Sequence, residues 1–480
     1  MLLFLFAVFL LLCGYLIYGT FVSKIFKIDP KRPTPAIALC DNIDFMPLSD
    51  WKVFLIQFLN IAGLGPVFGA ILGALYGPVA LLWIVFGSIL AGGVHDYMAG
   101  MMSVRENGCS PVYLVEKYMG KKTKWIFLSF MIGFLLLLGA VFAMSPAHML
   151  SSLSGFAFHW WLIAIFGYYF LATLLPIDKI IGRFYPLFAL LLISVTLAML
   201  IVLFTNNTTF YPQLNFTNQH PEQLPIFPLM FVTIACGALS GFHATQSPLM
   251  ARCINNECKG RAIFYGAMIT EGIVALIWAT LGIAFYQGSD GLLAAIKAVG
   301  PGGVVAEISK NYLGEIGGIL AVMSVIILSV TSGDTAFRSA RLTVSDYLLT
   351  TKKSFLNRII ISILILSGGV ALSFFDLTVI WTYFGWANQC LATIVLWTAS
   401  FYLLRNHKFY WITLLPGGFM TAVCTTYILY DKIGFSLPIT TSTYIGCAFA
   451  CICLLMFIGY AQKTTKKSGA KITHAQQKKS

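Results

Sequence analysis

Charge is what this chain has least of. Only 10% of its 480 residues are Asp, Glu, Lys or Arg, against roughly 25% in a soluble domain. No long polar stretch interrupts it, so no separate soluble domain is expected. A surface this poor in polar groups excludes water as the main solvent and points to lipid. Enzyme signatures are missing as well: there is no P-loop, no H-E-x-x-H and no G-x-S-x-G. Their absence argues against ATP-driven transport or hydrolytic chemistry by this chain alone. No C-x-x-C occurs among the 11 cysteines. Most of them (Cys236, Cys390, Cys424, Cys447, Cys451, Cys453) lie inside apolar runs, where a thiol serves as apolar filler. Cys253 and Cys258 share a loop expected to face the cytoplasm, where thiols stay reduced.

What is abundant is apolar sequence: 58% of residues are hydrophobic and the mean hydropathy is +0.84. Runs long enough to cross a bilayer fall at 2–22, 51–75, 76–102, 124–146, 158–175, 184–204, 226–249, 262–286, 315–337, 357–374, 378–403, 409–429 and 441–461. That is about 13 transmembrane helices. Apolarity alone selects them, yet 28 of the 31 Lys and Arg then fall in alternate gaps and the tail, leaving only Lys297, Lys310 and Lys432 on the other side. This is the positive-inside pattern. It explains the net charge of +13 as topology with some anionic-lipid contact, not as nucleic-acid binding. The first run lacks a basic n-region and a cleavage site, and Lys24, Lys27, Lys31 and Arg32 follow it, so it reads as a span with its N-terminus outside. The C-terminus is expected in the cytoplasm, with 463–480 a disordered basic tail. The outside loop 205–225 holds N-x-T triplets at Asn206, Asn207 and Asn215 and reads as a solvated loop. Segment 287–314 reads as two short helices, 292–299 and 304–310, serving as a lid or a connector.

Two spans are interrupted. The second contains Asn60-Ile61-Ala62-Gly63-Leu64-Gly65-Pro66. The seventh contains Cys236-Gly237-Ala238-Leu239-Ser240-Gly241-Phe242-His243-Ala244-Thr245-Gln246-Ser247-Pro248. Glycine and proline at mid-membrane free backbone groups that cannot face lipid. Interrupted helices at corresponding positions of two halves mark a transporter's binding site. Counting the second span as number one, the seventh is number six and enters from the opposite side. By analogy this is a leucine-transporter-like 5+5 inverted repeat, with one extra N-terminal and two extra C-terminal helices. The expected division is 1–50, 51–225, 226–403, 404–462 and the tail 463–480. Gly65, Gly69, Gly73 and Gly77, like Gly237 and Gly241, are also spaced for close helix packing.

Ionisable residues inside spans are costly and usually functional. They are His95-Asp96 in the third span, His243 in the second break, Glu271 in the eighth and Asp334 at the end of the ninth. Asn388 and Gln389 lie in the eleventh. Asp334 is placed to pair with Arg338 at i+4, or to form a coupling-ion site with Thr331, Ser332, Thr335 and unwound backbone near Ala62. Hard oxygens there suit Na⁺ and the carboxyl suits H⁺. His95 and His243 are either packing residues or proton carriers. Glu271 has no partner nameable from sequence and reads as an interior residue or a proton relay.

These same segments resemble the carbon starvation protein A family of bacterial transporters. The similar stretches are Ile61–Pro66 with Gly69, Leu90-Ala91-Gly92-Gly93-Val94-His95-Asp96-Tyr97, Ile234–His243, Asp334 with Arg338, Ala340 and Arg341, and Phe384-Gly385-Trp386-Ala387-Asn388-Gln389. The resemblance implies peptide or pyruvate transport induced when carbon is scarce. The chain departs from the longer members by its length, by Ile56-Gln57-Phe58 where histidines are usual, and by His95 where Gln often precedes Asp.

The reading is an all-α polytopic inner-membrane transporter, not an enzyme. It imports a small organic nutrient by alternating access, coupled to H⁺ or Na⁺, without a cofactor. Expected substrate-binding residues are Asn60, Gly63, Gly65, Ser240, Gly241, His243, Asn388 and Gln389. Expected ion-coupling residues are Ala62, His95, Asp96, Thr331, Ser332, Asp334 and Thr335, with Na⁺ placed at Ala62, Thr331, Ser332 and Thr335. The alternative is a nutrient sensor that binds the same ligand and signals without transport. Oligomeric state is left open.

Overall fold

Apolar stretches of about 20 residues satisfy their backbone groups in lipid only by coiling, and the chain does so throughout. The computed structural model describes all residues except 42–44, 175–176, 206–209, 212–214, 349–354 and 478–480; the side chains of 177–184, 346, 348, 355 and 465–477 are also outside the described residues. The triplets at Asn206 and Asn207, and the Lys179, Arg183, Lys352 and Lys353 side chains, therefore lie outside them. No strand occurs among the described residues.

In chain order the helices are α1 (Leu2–Phe26), α2 (Asp50–Ile61), α3 (Gly65–Ala74), α4 (Val79–Arg105), α5 (Pro111–Met119), α6 (Lys121–Ser154), α7 (Phe158–Leu174) and α8 (Ile177–Thr205). A short helical piece, α9 (226–233), precedes α10 (Gly241–Ala251) and α11 (Glu257–Phe285). The run Ser289–Leu348 is broken at Gly300 (φ 70°) and Gly314 (φ 71°) into α12 (289–299), α13 (301–313) and α14 (315–348). Then follow α15 (Phe355–Leu372), α16 (Leu377–Arg405), α17 (Trp411–Tyr430) and α18 (Ile439–Gln477). Nine described helices are long and apolar enough to span a membrane; α2 and α3, bent by 59°, make a tenth span if taken as one. Every apolar run marked in the sequence lies on a helix or a broken helix.

Three boundaries differ from expectation. The second interruption lies at 234–240 instead of extending over Cys236–Pro248, because α10 starts at Gly241 and carries His243–Ser247 as regular helix. Polarity there reflects burial against protein; Pro248 is absorbed within the helix. Between its two expected short helices the segment 287–314 breaks at the single residue Gly300, so α13 begins at Pro301, includes Gly302 and Gly303, and runs to the second break at Gly314. The backbone of the expected disordered tail is helical as far as Gln477.

The basic loops gather at one end. There the fully buried Glu257 accepts from Arg105 Nε at 2.5 Å and Nη2 at 2.8 Å, and from the Asp29 amide at 2.9 Å. Arg105 also donates to Lys27 O at 2.8 Å, and Arg405 donates to the carbonyls of Lys117 and Tyr118. At the opposite end Lys297 pairs with Glu222 at 2.6 Å. There α13 buries Val304, Val305 and Ile308, and its Gly302 faces Met149 and Phe68.

Candidate functional site

The two interruptions meet. A side chain at Gly65 would strike Cys236 Cβ, and one at Gly237 would come within 3.9 Å of Pro66. Further along α3, Gly69 abuts Thr233 O and Gly73 abuts Ile234. Small residues here bring the opposed half-helices into backbone contact.

The freed backbone groups of the second interruption are met by neighbours. Ser88 Oγ, at the start of a widened turn in α4, donates to Gly237 O at 3.1 Å. Gln389 Nε2 on α16 donates to Leu239 O at 3.0 Å. Asn388 Oδ1 accepts from the Phe242 amide at 2.8 Å and from Ser240 Oγ at 3.1 Å, while its Nδ2 donates to Ser240 Oγ at 3.0 Å. Asn388 thus caps the first turn of α10 from another helix. Gly241 permits this, since a Cβ there would lie 2.3 Å from Asn388 O. Of the expected binding residues, Ser240, Gly241, Asn388 and Gln389 are therefore brought together; Ser240 and Asn388 bond one another, while Gln389 donates to Leu239 O and its Oε1 has no partner among the described residues.

The first interruption is sparsely met. The Gly63 amide donates to Ile61 O at 2.8 Å, and Ser332 Oγ on α14 reaches Asn60 O only at 3.5 Å. Ala62 leaves the helix at φ −73°, ψ 54°. Gly63 lies under the Phe142 ring, which packs edge-on to Phe242 and Phe384 at 6.3 and 5.9 Å. Asn60 is fully buried with both amide atoms unpartnered, and so is Gln57 one turn earlier. The sequence offered Gln57 only as a departure from a pattern. Its i, i+3 spacing to Asn60 is the signal that could have placed it on the same face.

Beside the second interruption runs a chain of buried ionisable groups. His95 Nδ1 and His243 Nδ1 each lie 2.8 Å from one Asp96 oxygen, and His243 Nε2 lies 3.4 Å from Glu271 Oε2. All four side chains are fully buried. Glu271, without a partner in the sequence reading, gains one here. The contacts run pairwise along a line, and among the described residues no group of three or more His, Cys, Asp or Glu is arranged to hold a metal ion.

A second acidic locus lies on α14. Asp334 Oδ2 accepts from Tyr185 OH at 2.9 Å, and that hydroxyl also lies 3.2 Å from Thr331 O. Asp334 Oδ1 is buried and unpartnered. Tyr185, which the sequence did not single out, holds Asp334, whereas Arg338 donates to Ala172 O. The Thr331 and Thr335 hydroxyls bond back to their own helix, at Ile327 O and Ser332 O. Of the expected Na⁺ set, only Ser332 is seen to reach the first interruption.

Towards the basic end lies a cavity of about 30 Å³, lined by Ser110, Thr245, Arg252, Ser339 and Thr343 among others. It sits between α5, α10 and α14.

Comparison with known proteins agrees with this geometry. The family model of carbon starvation protein CstA matches residues 1–158, 146–296 and 289–427. An uncharacterized membrane protein of Haemophilus influenzae is 46% identical over 351 residues, 62% of this chain and 95% of that one. The peptide transporter CstA of Campylobacter jejuni is 29% identical over 56% of this chain and 48% of its own length. For the pyruvate/proton symporter BtsT of Escherichia coli the figures are 28%, 55% and 46%. The chain thus spans about half the length of these two named transporters. Among solved structures, the Eremococcus coleocola manganese transporter aligns with a TM-score of 0.55 at 12% identity, over 89% of this chain and 98% of that one. MhsT in complex with L-phenylalanine aligns at 0.56 and 14%, over 85% and 98%. These neighbours share the leucine-transporter-like fold. The chain is a multi-pass membrane protein that belongs to the carbon starvation protein CstA family.

Proposed function

We propose that the protein is a secondary active transporter of the bacterial inner membrane. It imports a small organic nutrient, a short peptide or a carboxylate such as pyruvate, in symport with H⁺ or Na⁺. The N-terminus lies outside and the basic end faces the cytoplasm. Residues 51–225 and 226–403 form the two inverted repeats that rock against each other. The observation that carries the reading is the meeting of two broken helices beside the unpartnered amides of Gln57 and Asn60. Buried polar groups left unpaired cost about 1–3 kcal/mol each, and a polar ligand removes that cost. Substrate binds there with its carboxylate towards the N-terminal end of α10, where the helix dipole favours an anion. The hydroxyl-lined cavity with Arg252 lies on the cytoplasmic release path. The printed names of the relatives, a peptide transporter and a pyruvate/proton symporter, support this substrate class. No bond of the substrate is made or broken.

The test is uptake of labelled pyruvate and trialanine into proteoliposomes under an imposed proton or sodium gradient. Accumulation above equilibrium supports transport. Binding with no flux supports the sensor reading, and flux that never exceeds equilibrium indicates a channel.

A further inference from the structure

The buried chain at His95, Asp96, His243 and Glu271 fixes its own proton positions. A carboxylate only accepts hydrogen bonds. Asp96 lies 2.8 Å from Nδ1 of both histidines, so both Nδ1 atoms carry hydrogen. Each neutral ring then presents a bare lone pair at Nε2. His95 Nε2 meets no partner, and His243 Nε2 faces Glu271 Oε2 at 3.4 Å. An ionised Glu271 there would point a negative oxygen at a lone pair, in a fully buried site and beside a second carboxylate. A proton between the two atoms removes the conflict. It resides on Glu271 as the acid or on His243 as the imidazolium.

The helix geometry chooses between them. His243 sits in the first turn of α10, where the positive end of the dipole disfavours a cation. Among the described residues no group other than His243 Nε2 is placed to share a proton with either Glu271 oxygen, so little stabilises its charged form in this buried position. The proton therefore rests on Glu271. The other titratable groups facing it are Asp96 from α4 and Cys236 from the second interruption, with His95 one step further along the chain of contacts, on Asp96. The helices α1, α2, α3, α8 and the run 289–348, which also pack on α11, bring no charged group to it among the described residues.

We propose that the contact between Glu271 and His243 is the binding site of the coupled proton, so that the transporter is a proton symporter. The proposal rests on the transport reading above. His243 belongs to the half-helix that follows the second interruption, and Glu271 belongs to an unbroken neighbour. Movement of α10 against α11 changes their separation and opens the carboxyl to water. The Glu271 O–H then breaks, the proton leaves to the cytoplasm as hydronium, and the carboxylate is reprotonated from outside in the next cycle. A substrate carboxylate at the start of α10 adds negative charge near the site and strengthens its hold on the proton; by reciprocity the proton strengthens the hold on substrate.

Two measurements decide this. The first needs no substrate. Purified protein is treated with dicyclohexylcarbodiimide, which attacks protonated carboxyls in apolar surroundings, and the adduct is mapped by mass spectrometry. Labelling at Glu271 that declines as pH rises is expected; a chain labelled elsewhere but never at Glu271 overturns the proposal. The second uses proteoliposomes with pyruvate and trialanine. Glu271→Gln should lose proton-driven accumulation by about tenfold more than it loses exchange of labelled for unlabelled probe, and Glu271→Asp should recover part of the loss. A Gln variant that accumulates like the parent, with the same acidification of the lumen, overturns it. If the parent moves neither probe, the transport reading fails, while the labelling result still decides whether Glu271 holds a proton.

Discussion

The two interruptions are built from similar residues and are finished differently. At 234–240 the carbonyls of Gly237 and Leu239 and the amide of Phe242 each meet a side chain, from Ser88, Gln389 and Asn388. Beside 62–64 the one side-chain hydrogen bond among the described residues is Ser332 to Asn60 O, at 3.5 Å, and the side-chain amides of Gln57 and Asn60 are left over. The second is a frame held by α4 and α16. The first keeps hydrogen-bonding capacity in reserve. Binding residues are therefore better sought at Gln57, Asn60 and the unpartnered Gln389 Oε1 than among the capping groups Ser240 and Asn388.

Substitutions can break this contrast, and they rank by size. Gly65→Ala should do most. Its methyl would collide with Cys236 Cβ, an atom fixed by backbone, so a loss of about 3 kcal/mol is expected, read as a fall in thermal stability in detergent. Asn388→Ala should cost about 2 kcal/mol by leaving the Phe242 amide and Ser240 unsatisfied, with the same readout. If Asn388 instead binds ligand, stability will hold and affinity will drop. Asn60→Leu should leave stability unchanged or raised, because a buried unpaired amide is removed, yet weaken substrate binding by tenfold or more, about 1.4 kcal/mol, measured by ligand-induced thermal shift. Loss of stability without loss of affinity would reverse the roles given to the two breaks. Ser332→Ala should change stability by less than about 0.5 kcal/mol, since its contact is long; a larger effect that depends on Na⁺ would reinstate the ion site expected on α14.

Much of the fold is readable in the sequence because lipid simplifies the code. A run such as 124–146 has one way to satisfy its backbone, and Gly63-Leu64-Gly65-Pro66 has no way to continue a helix. The second break is less legible. Pro248 marks a turn by local rule, but it sits well inside α10, whose true start is set by a cap from Asn388, 148 residues from Ser240. The chain of ionisable groups is hidden for the same reason. Asp96 and His243 are 147 residues apart, and periodicity reports only neighbours within a few turns. His95, Asp96, His243 and Glu271 each stand out singly; only the packing of α4, α10 and α11 joins them. Gln57 is only half legible: its i, i+3 spacing to Asn60 puts the two amides on one face, but that both lack partners is seen only in the packing.

The hollow between α5, α10 and α14 measures about 30 Å³, room for a water or two. A three-carbon acid is larger, so on the transport reading proposed above α10 and α14 separate before such a guest passes. On that reading capture on that side is limited by the frequency with which the helices part, not by collision. The observed association rate should level off as concentration rises, at a value set by the protein's own motion.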